Sequence, residues 1–505
     1  MEKGYTMKQA ACVMVLGCTS GAGKSWLATA LCRWYARQGY RVAPFKAQNM
    51  SNNARVVTGG EIGSAQYFQA LAAGVEPEVR MNPLLLKPEA DTRSQVVLLG
   101  QVDAHLTALP WRERKNYTWQ PISEALDALR SEYDVVVIEG AGSPAEINLM
   151  DTDVVNLRVA RHAQAAGLLV ADIDRGGAFA HLYGTWALMP EADRRLLRGF
   201  VLNKFRGDAS LLPPAPQMLQ DMTQVPVLAT LPLWRGHGLP EEDGVFDDSS
   251  TGQQGQQIAV IAYPHMSNLD EFEPLRQHPN VRLRWVREPA ALQAVDCVVL
   301  PGSKNTLDDL RWLRERGLDA AINAHAARGG RVLGICGGLQ MLGEAVMDLH
   351  SFEGGGSEPG LGLLPVVTLF EPDKTVQRTQ ATVAADLPAE SPWYGLRGLP
   401  VDGYEIHMGQ TQAHTGMVQA GHVAQPALRA QDGAVIGWCN GTATACTPQA
   451  GQVLGVYLHG LLENADVQQQ LFGAAVPSLH TVFDSMADYV EHHFGADALR
   501  ALLKG

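Results

Sequence analysis

Short, uninterrupted apolar runs recur along the first half of the chain, each followed by a Gly-rich or polar turn and then a helical pattern. Ala11–Leu16, Arg41–Phe45, Asp134–Ile138, Gly167–Ala171 and Gly199–Leu202 are such runs. Continuous rather than alternating hydrophobicity is what a strand covered on both faces of a parallel sheet requires. Helices are predicted between the runs, among them Ser25–Gln38 and Ile122–Glu132. The expectation is a doubly wound parallel α/β sheet with its ligand sites at the carboxyl ends of the strands.

Residues 236–257 read GHGLPEEDGVFDDSSTGQQGQQ, acidic and then Gly/Gln/Ser-rich, with little to bury. This predicts a linker between a domain at 1–235 and another at 258–505. Beyond it the α/β pattern resumes. Ile258–Ala262, Val295–Leu300 and Arg331–Gly334 are predicted strands, and Thr306–Arg316 a helix. Leu349–Val453 has several Gly and Pro turns and predicts shorter, partly antiparallel strands.

Composition narrows the class. The 505 residues are 46% hydrophobic and 18% charged, enough apolar material for sizeable cores. The net charge of −13 argues against nucleic acid or an anionic membrane as the main partner. Seven cysteines without a CxxC pair do not form a disulfide framework, which implies a reducing compartment. Met1–Ala11 has no signal-peptide core, and the run Ala11–Leu16 is too short to span a membrane. A cytoplasmic location is expected.

Two segments carry chemistry. Gly17-Cys-Thr-Ser-Gly-Ala-Gly-Lys-Ser25 follows the first predicted strand and opens a helix. A bound triphosphate needs inward backbone N–H groups, a lysine near the β/γ oxygens and a hydroxyl for Mg²⁺. Gly21 and Gly23 supply backbone freedom, Lys24 the charge and Ser25 the hydroxyl. The first glycine falls one position early, so the loop is one residue longer than a strict Walker A sequence. At other strand ends lie Glu139, a carboxylate suited to a phosphate-bound Mg²⁺, and Asp172-Ile-Asp174-Arg-Gly-Gly177. Lys46-Ala-Gln48-Asn49-Met-Ser-Asn-Asn53 concentrates donors suited to a polycarboxylate or a phosphate, although amide-rich loops also form plain turns.

In the second half, Arg331-Val-Leu-Gly-Ile-Cys336-Gly337-Gly-Leu-Gln-Met-Leu-Gly343 runs from a strand through Gly-x-Cys-x-Gly into a helical pattern. Small flanking residues permit the strained turn that exposes a nucleophile, and the next backbone N–H serves an oxyanion hole. Helix-dipole effects of roughly 0.3–1 kcal/mol are too small to make a good thiolate alone, so a histidine is needed. His459, at the end of the apolar run Val453–Leu458, is the first choice. His407, in GYEIHMG, is the second. Gly302, after the strand Val295–Leu300, is placed to lend a second oxyanion N–H. Cys439 and Cys446 have no metal-ligand spacing.

A phosphate loop joined to a cysteine–histidine domain implies two coupled reactions. Cys336 would release ammonia from glutamine through a thioester, and the first domain would convert a carboxylate to an acyl phosphate with ATP.

From end to end the chain resembles the glutamine-hydrolysing cobyric acid synthase family of cobalamin biosynthesis. The likeness rests on Gly17–Ser25, Lys46–Asn53, Met81–Pro88, Glu139–Leu149, Asp172–Gly177, Leu300–Thr306, Gly334–Gly343, Gly403–Gly409 and Tyr457–Gly460. It implies a dethiobiotin-synthetase-like P-loop amidoligase domain followed by a class I glutaminase-like domain. It also implies a corrinoid substrate, adenosylcobyrinic acid a,c-diamide, amidated at its b, d, e and g carboxylates with one ATP per amide. Under the resemblance Cys336 is the nucleophile and His459 its base. Gly17, Thr19, Ser20, Gly21, Gly23, Lys24 and Ser25 bind ATP, and Ser25 with Glu139 holds Mg²⁺. Lys46, Gln48, Asn49, Asp172 and Asp174 serve the substrate or acyl phosphate. Class I glutaminases carry a glutamate two residues after the histidine, where this chain has Leu461. The orienting group of His459 therefore has no assignment beyond a guess at Glu405, and Gln410–Gln452 is longer than is usual in the family. The oligomeric state is left open.

Three other readings compete. Cobyrinic acid a,c-diamide synthase shares both domains but amidates other carboxylates. A P-loop switch ATPase with an inert glutaminase-like domain would keep the loop but not the intact Gly-Ile-Cys-Gly-Gly. A stand-alone glutaminase with a regulatory nucleotide site would not link ATP turnover to amide formation.

Overall fold

The computed structural model describes residues 9–90, 93–240, 255–353, 355–444 and 446–504. The candidate linker 236–257 therefore lies mostly outside the described residues. Two compact units emerge: Met1–Ser51, Val57–Leu239 and Pro477–Gly505 form the first, and Asn52–Val56 with Pro240–Val476 the second.

The first unit contains β1 (Ala11–Gly17), α1 (Lys24–Arg37), β2 (Val42–Phe45), α2 (Trp111–Glu132), β3 (Val135–Glu139), β4 (Ala166–Asp172), β5 (Leu197–Phe205) and β6 (Val227–Pro232). The strands form one parallel sheet in the order β6-β5-β4-β1-β3-β2. Their unbroken hydrophobicity has the expected cause. Met14, Leu16, Val136 and Ile138 enter an apolar layer on one face, while Val13, Val15, Val135 and Val137 enter another on the opposite face. The register sets Val15 beside Glu139 and Asp172 beside Asn203, so the polar residues cluster at the carboxyl edge. Helix α2 begins well before the predicted Ile122 and runs through Pro121. Its first turns are largely exposed and polar, so they carry no apolar stripe by which a sequence pattern reveals a helix. A smaller sheet pairs Gln48–Met50 in parallel with Leu84–Ala90.

The second unit repeats the arrangement. β7 (Gln256–Ile261), β8 (Val281–Val286), β9 (Cys297–Leu300), β10 (Arg331–Ile335) and, later in the chain, β15 (Val453–Val456) pair in parallel in the order β8-β7-β9-β10-β15. Helix α3 (Thr306–Glu315) follows β9, and α4 (Gly337–Leu342) follows β10. The intervening region was expected to form short strands. It instead holds two long ones, β11 (Val366–Val383) and β12 (Pro400–Ala413), paired antiparallel. β13 (Ala424–Ala430) and β14 (Val435–Asn440) then bridge β11 to β15. The stretch Gln410–Gln452 thus completes the sheet, a structural task.

Helix α5 (Leu479–Phe494), near the end of the chain, corrects the expected boundary at 258–505, because it packs in the first unit. Phe483, Met486, Ala487 and Val490 recur at i, i+3, i+4 and i+7 and share a core with Leu27, Leu31 and Trp34 of α1. Arg33 donates to both carboxylate oxygens of Asp484 at 2.8 and 3.0 Å, and Trp34 Nε1 donates to Glu491 at 2.8 Å.

Candidate functional site

In the first unit the polar end of the sheet is organised around Glu139, which is fully buried. Ser25 Oγ donates to its Oε1 at 2.8 Å, and Lys46 Nζ meets the same oxygen at 2.9 Å. Gln69 donates to Oε2 at 2.6 Å, with Gln66 at 3.4 Å. Burial works against the charge of this carboxylate, but Lys46 and the surrounding donors prevail and hold it below the usual range. Asn49 reaches the group indirectly, donating to Gln66 at 3.3 Å, while Gln48 opens the short strand beside it.

The loop between β1 and α1 turns tightly on its glycines. Gly17 closes β1, and Gly21 and Gly23 adopt φ of 70° and 95°. Any side chain at Gly23 would collide with the Asn203 amide, 2.1 Å from an ideal Cβ. Lys24 Nζ folds back onto the carbonyls of Thr19 at 3.1 Å and Gly142 at 3.3 Å. Ser20 lies exposed at the tip. Asp172 is buried, with Lys204 Nζ at 3.4 Å, and Lys204 also donates to the Gly21 carbonyl at 2.7 Å. Asp174 accepts from Arg206 at 2.6 Å, an exposed contact. A hydroxyl and an ionised carboxylate converging at a glycine-rich loop are hard oxygen donors, and they fit Mg²⁺ shared with phosphate oxygens.

In the second unit Cys336 sits between β10 and α4 with φ 52° and ψ −107°, a left-handed strain that persists only where its surroundings enforce it. The enforcement is visible: an ideal Cβ at Gly338 would lie 1.9 Å from the Leu300 carbonyl oxygen. Gly337 begins α4, and a Cβ there would come within 2.8 Å of Ser303 N. A Cβ at Gly302 would lie 2.9 Å from His459 Cε1, which places the backbone of the 300–303 loop beside the imidazole.

The Cys336 sulfur lies close enough to His459 to favour its protonated form. Its Nδ1 donates to Glu271 Oε1 at 3.0 Å, and the other oxygen of Glu271 accepts from Gly460 N at 3.1 Å. A carboxylate accepts only, so Nδ1 carries the proton and Nε2 is left for the sulfur. Burial alone would depress this imidazole. The Glu271 carboxylate and the Cys336 sulfur outweigh it and raise the group to about 10. The arrangement therefore sets a protonated imidazole beside the Cys336 sulfur.

The second-choice histidine is elsewhere engaged. His407 Nδ1 donates to the Gly409 carbonyl at 2.9 Å, its Nε2 meets Glu405 at 3.2 Å, and its ring stacks on Tyr457. Only the backbone nearby touches the nucleophile, the Ile406 carbonyl lying 3.5 Å from Cys336 Sγ. Glu405 is equally committed, accepting from Thr379 at 2.6 Å and Gln377 at 3.0 Å, so it does not orient His459. Glu271, which does, was missed. It lies 188 residues before the histidine, in an acidic turn, Asp270-Glu271, that reads as a solvated helix start. The one hint was its position between Leu269 and Phe272, on a segment that had to be partly buried.

Replacing Glu271 by Gln keeps the shape and removes the charge. The raised value of His459 then falls from about 10 toward the ordinary 6.5, and the thiolate loses its counter-charge. The pH midpoint for alkylation of Cys336, followed by peptide mass spectrometry, is expected to rise. An unchanged midpoint would remove Glu271 from the pair.

Residues 13–236 match the CobQ/CobB/MinD/ParA nucleotide-binding domain, and residues 257–467 match the CobB/CobQ-like glutamine amidotransferase domain. The chain is thus of the class that joins a nucleotide-binding unit to a glutamine amidotransferase unit, and these domains fit the use of ATP and glutamine. It is 65% identical over 494 residues to a cobyric acid synthase of Variovorax paradoxus (strain S110), covering 97% of this chain and 99% of the relative. It is 63% identical over 496 residues to that of Polaromonas naphthalenivorans (strain CJ2), covering 97% and 99%. The chain belongs to the cobyric acid synthase family and is a glutamine-hydrolysing carbon–nitrogen ligase. Among the described residues no helix is long and apolar enough to cross a membrane.

Proposed function

We propose that this enzyme amidates the b, d, e and g carboxylates of adenosylcobyrinic acid a,c-diamide, giving adenosylcobyric acid. The observation that carries the reading is the Cys336–His459–Glu271 set in the same polypeptide as the Lys24–Ser25–Glu139 phosphate loop. The cysteine thiolate attacks the side-chain amide carbon of glutamine. His459 protonates the departing nitrogen, ammonia leaves, and water then cleaves the thioester to glutamate. The backbone N–H groups of Gly302 and Gly337 stabilise the oxyanion in both steps.

In the first unit Lys24 and the Gly17–Ser25 backbone hold the ATP phosphates, and the substrate carboxylate attacks the γ-phosphorus to give an acyl phosphate and ADP. Ammonia adds to the acyl carbon and phosphate departs, which replaces hydroxide, a very poor leaving group, with a good one. Ser25 and Glu139 would hold Mg²⁺, whose contribution when bound is to neutralise phosphate charge. Lys46 keeps Glu139 ionised, and with Gln48, Asn49, Asp172 and Asp174 it lies where the substrate carboxylate approaches.

The test is mass spectrometry of the corrinoid product with glutamine, ATP and Mg²⁺. Four amide additions to the a,c-diamide are expected. No addition to that substrate, with two additions to cobyrinic acid itself, would assign the chain to a,c-diamide synthesis instead.

A further inference from the structure

Asn53, Ala54 and Arg55 come from the first half of the sequence but belong to the compact unit that contains Cys336. They form a strap along the turn that carries Glu271. Leu269 N donates to Asn53 Oδ1 at 2.9 Å, and Ala54 N donates to Asn268 Oδ1 at 3.3 Å. Arg55 Nε donates to Asp270 Oδ2 at 2.8 Å, and its Nη1 and Nη2 reach the two oxygens of Glu463 at 3.0 and 2.6 Å. Asn268, where the turn begins, is left-handed with φ 56°, a conformation asparagine adopts more readily than most residues. Glu271 follows directly on the residue that Arg55 grips.

The same guanidinium reaches the other side of the pair. Its carbon lies 5.0 Å from the centre of the Tyr404 ring, and that ring stacks on His459 at 5.2 Å and 17°. Tyr404 also accepts the His459 backbone N–H at 2.9 Å. Asn53, Arg55, Asp270, Glu271 and His459 are each at most 4% exposed, so the arrangement is walled off from solvent screening. None of the strap residues takes part in the thioester chemistry.

We propose that Asn53 and Arg55 are positioning residues of the glutaminase centre: they fix the turn bearing Glu271 and the ring beside His459, and so keep Nε2 aimed at the Cys336 sulfur. The inference rests on reading Cys336 and His459 as a glutaminase. Arginine is required because its planar fork spans two carboxylates at set angles, which an ammonium does not do. A consequence follows from chain order alone. The strap begins at Asn53, the last residue of the Lys46–Asn53 stretch, so glutamine hydrolysis depends on residues that the amidating half of the sequence supplies.

The experiment compares Arg55→Lys and Asn53→Ala with the full-length wild type and Cys336→Ala. Glutamine hydrolysis is resolved into kcat and KM, Cys336 alkylation is followed against pH, and ammonia-driven amidation is measured on the same preparations. Each strap variant is expected to lose about tenfold in kcat with KM within twofold, and to show a raised alkylation midpoint. Ammonia-driven amidation should stay within twofold. Wild-type kcat and midpoint in both variants would refute the proposal, and if Arg55→Lys does not fold, Asn53→Ala alone decides. The outcomes separate from those of the underlying reading. A wild type that hydrolyses no glutamine, or a Cys336→Ala that still does, would undo the glutaminase assignment itself.

Discussion

Cys336→Ala is expected to abolish glutamine-dependent amidation while ammonia-dependent amidation continues at close to the wild-type rate. Loss of a covalent nucleophile removes the thioester route altogether, an effect on the order of 10⁶-fold in kcat where such groups have been deleted. The rest of the apparatus survives. Alanine at φ 52° carries the same left-handed strain as cysteine, so the turn that sets Gly337 and Gly338 against the 300–303 loop keeps its shape. The loss of one sulfur leaves His459 bonded to Glu271. Nothing in the Lys24–Glu139 cluster depends on residue 336. Parallel assays with glutamine and with ammonium salt at matched ATP check the claim. Loss of both activities would contradict a two-site scheme, and retention of both would take Cys336 out of the chemistry.

The parts of this architecture that show in the sequence are those written in local patterns. β1, β3 and β4 announce themselves because both their faces are apolar, and Gly17–Ser25 does so because a phosphate cradle needs small residues at fixed offsets. Cys336 is legible for a similar reason: its strain demands glycines on either side. What stayed hidden depends on pairing across long stretches of chain. Glu271 contacts His459 from another turn, and no spacing rule connects the two. α5 shows a clean apolar stripe, but a stripe does not say which surface it covers, and Trp34, Leu27 and Leu31 of α1 decided that. β11 and β12 were read as several short strands because Gly and Pro recur through that region and look like turns. Pro372, Gly403 and Gly409 instead lie inside the two long paired strands.

Lys24→Ala should remove amidation with either nitrogen donor while leaving glutamine hydrolysis in place. The difference from Cys336→Ala is that the electrophile is lost here, and not the nitrogen source. Without the ammonium group the γ-phosphate has no fixed positive charge beside it as its bond to the β-phosphate breaks, so no acyl phosphate forms and ammonia from any source finds only a carboxylate. Loss of one preorganised donor of this kind costs about 10²–10³-fold in kcat. A lysine should suffer more than a neutral donor, since charge develops on the group it faces. The side chain is buried, and its partners include the Thr19 and Gly142 carbonyls, so the substitution also leaves two carbonyls without their ammonium donor. Ser25 and Lys46 still hold Glu139, which keeps the carboxylate ionised and the sheet end intact. Persistent glutamine hydrolysis in the same preparation would show that the protein is folded. Ammonia-driven product at wild-type rates would then place the activating charge somewhere other than the phosphate loop, with Lys46 the next group to substitute.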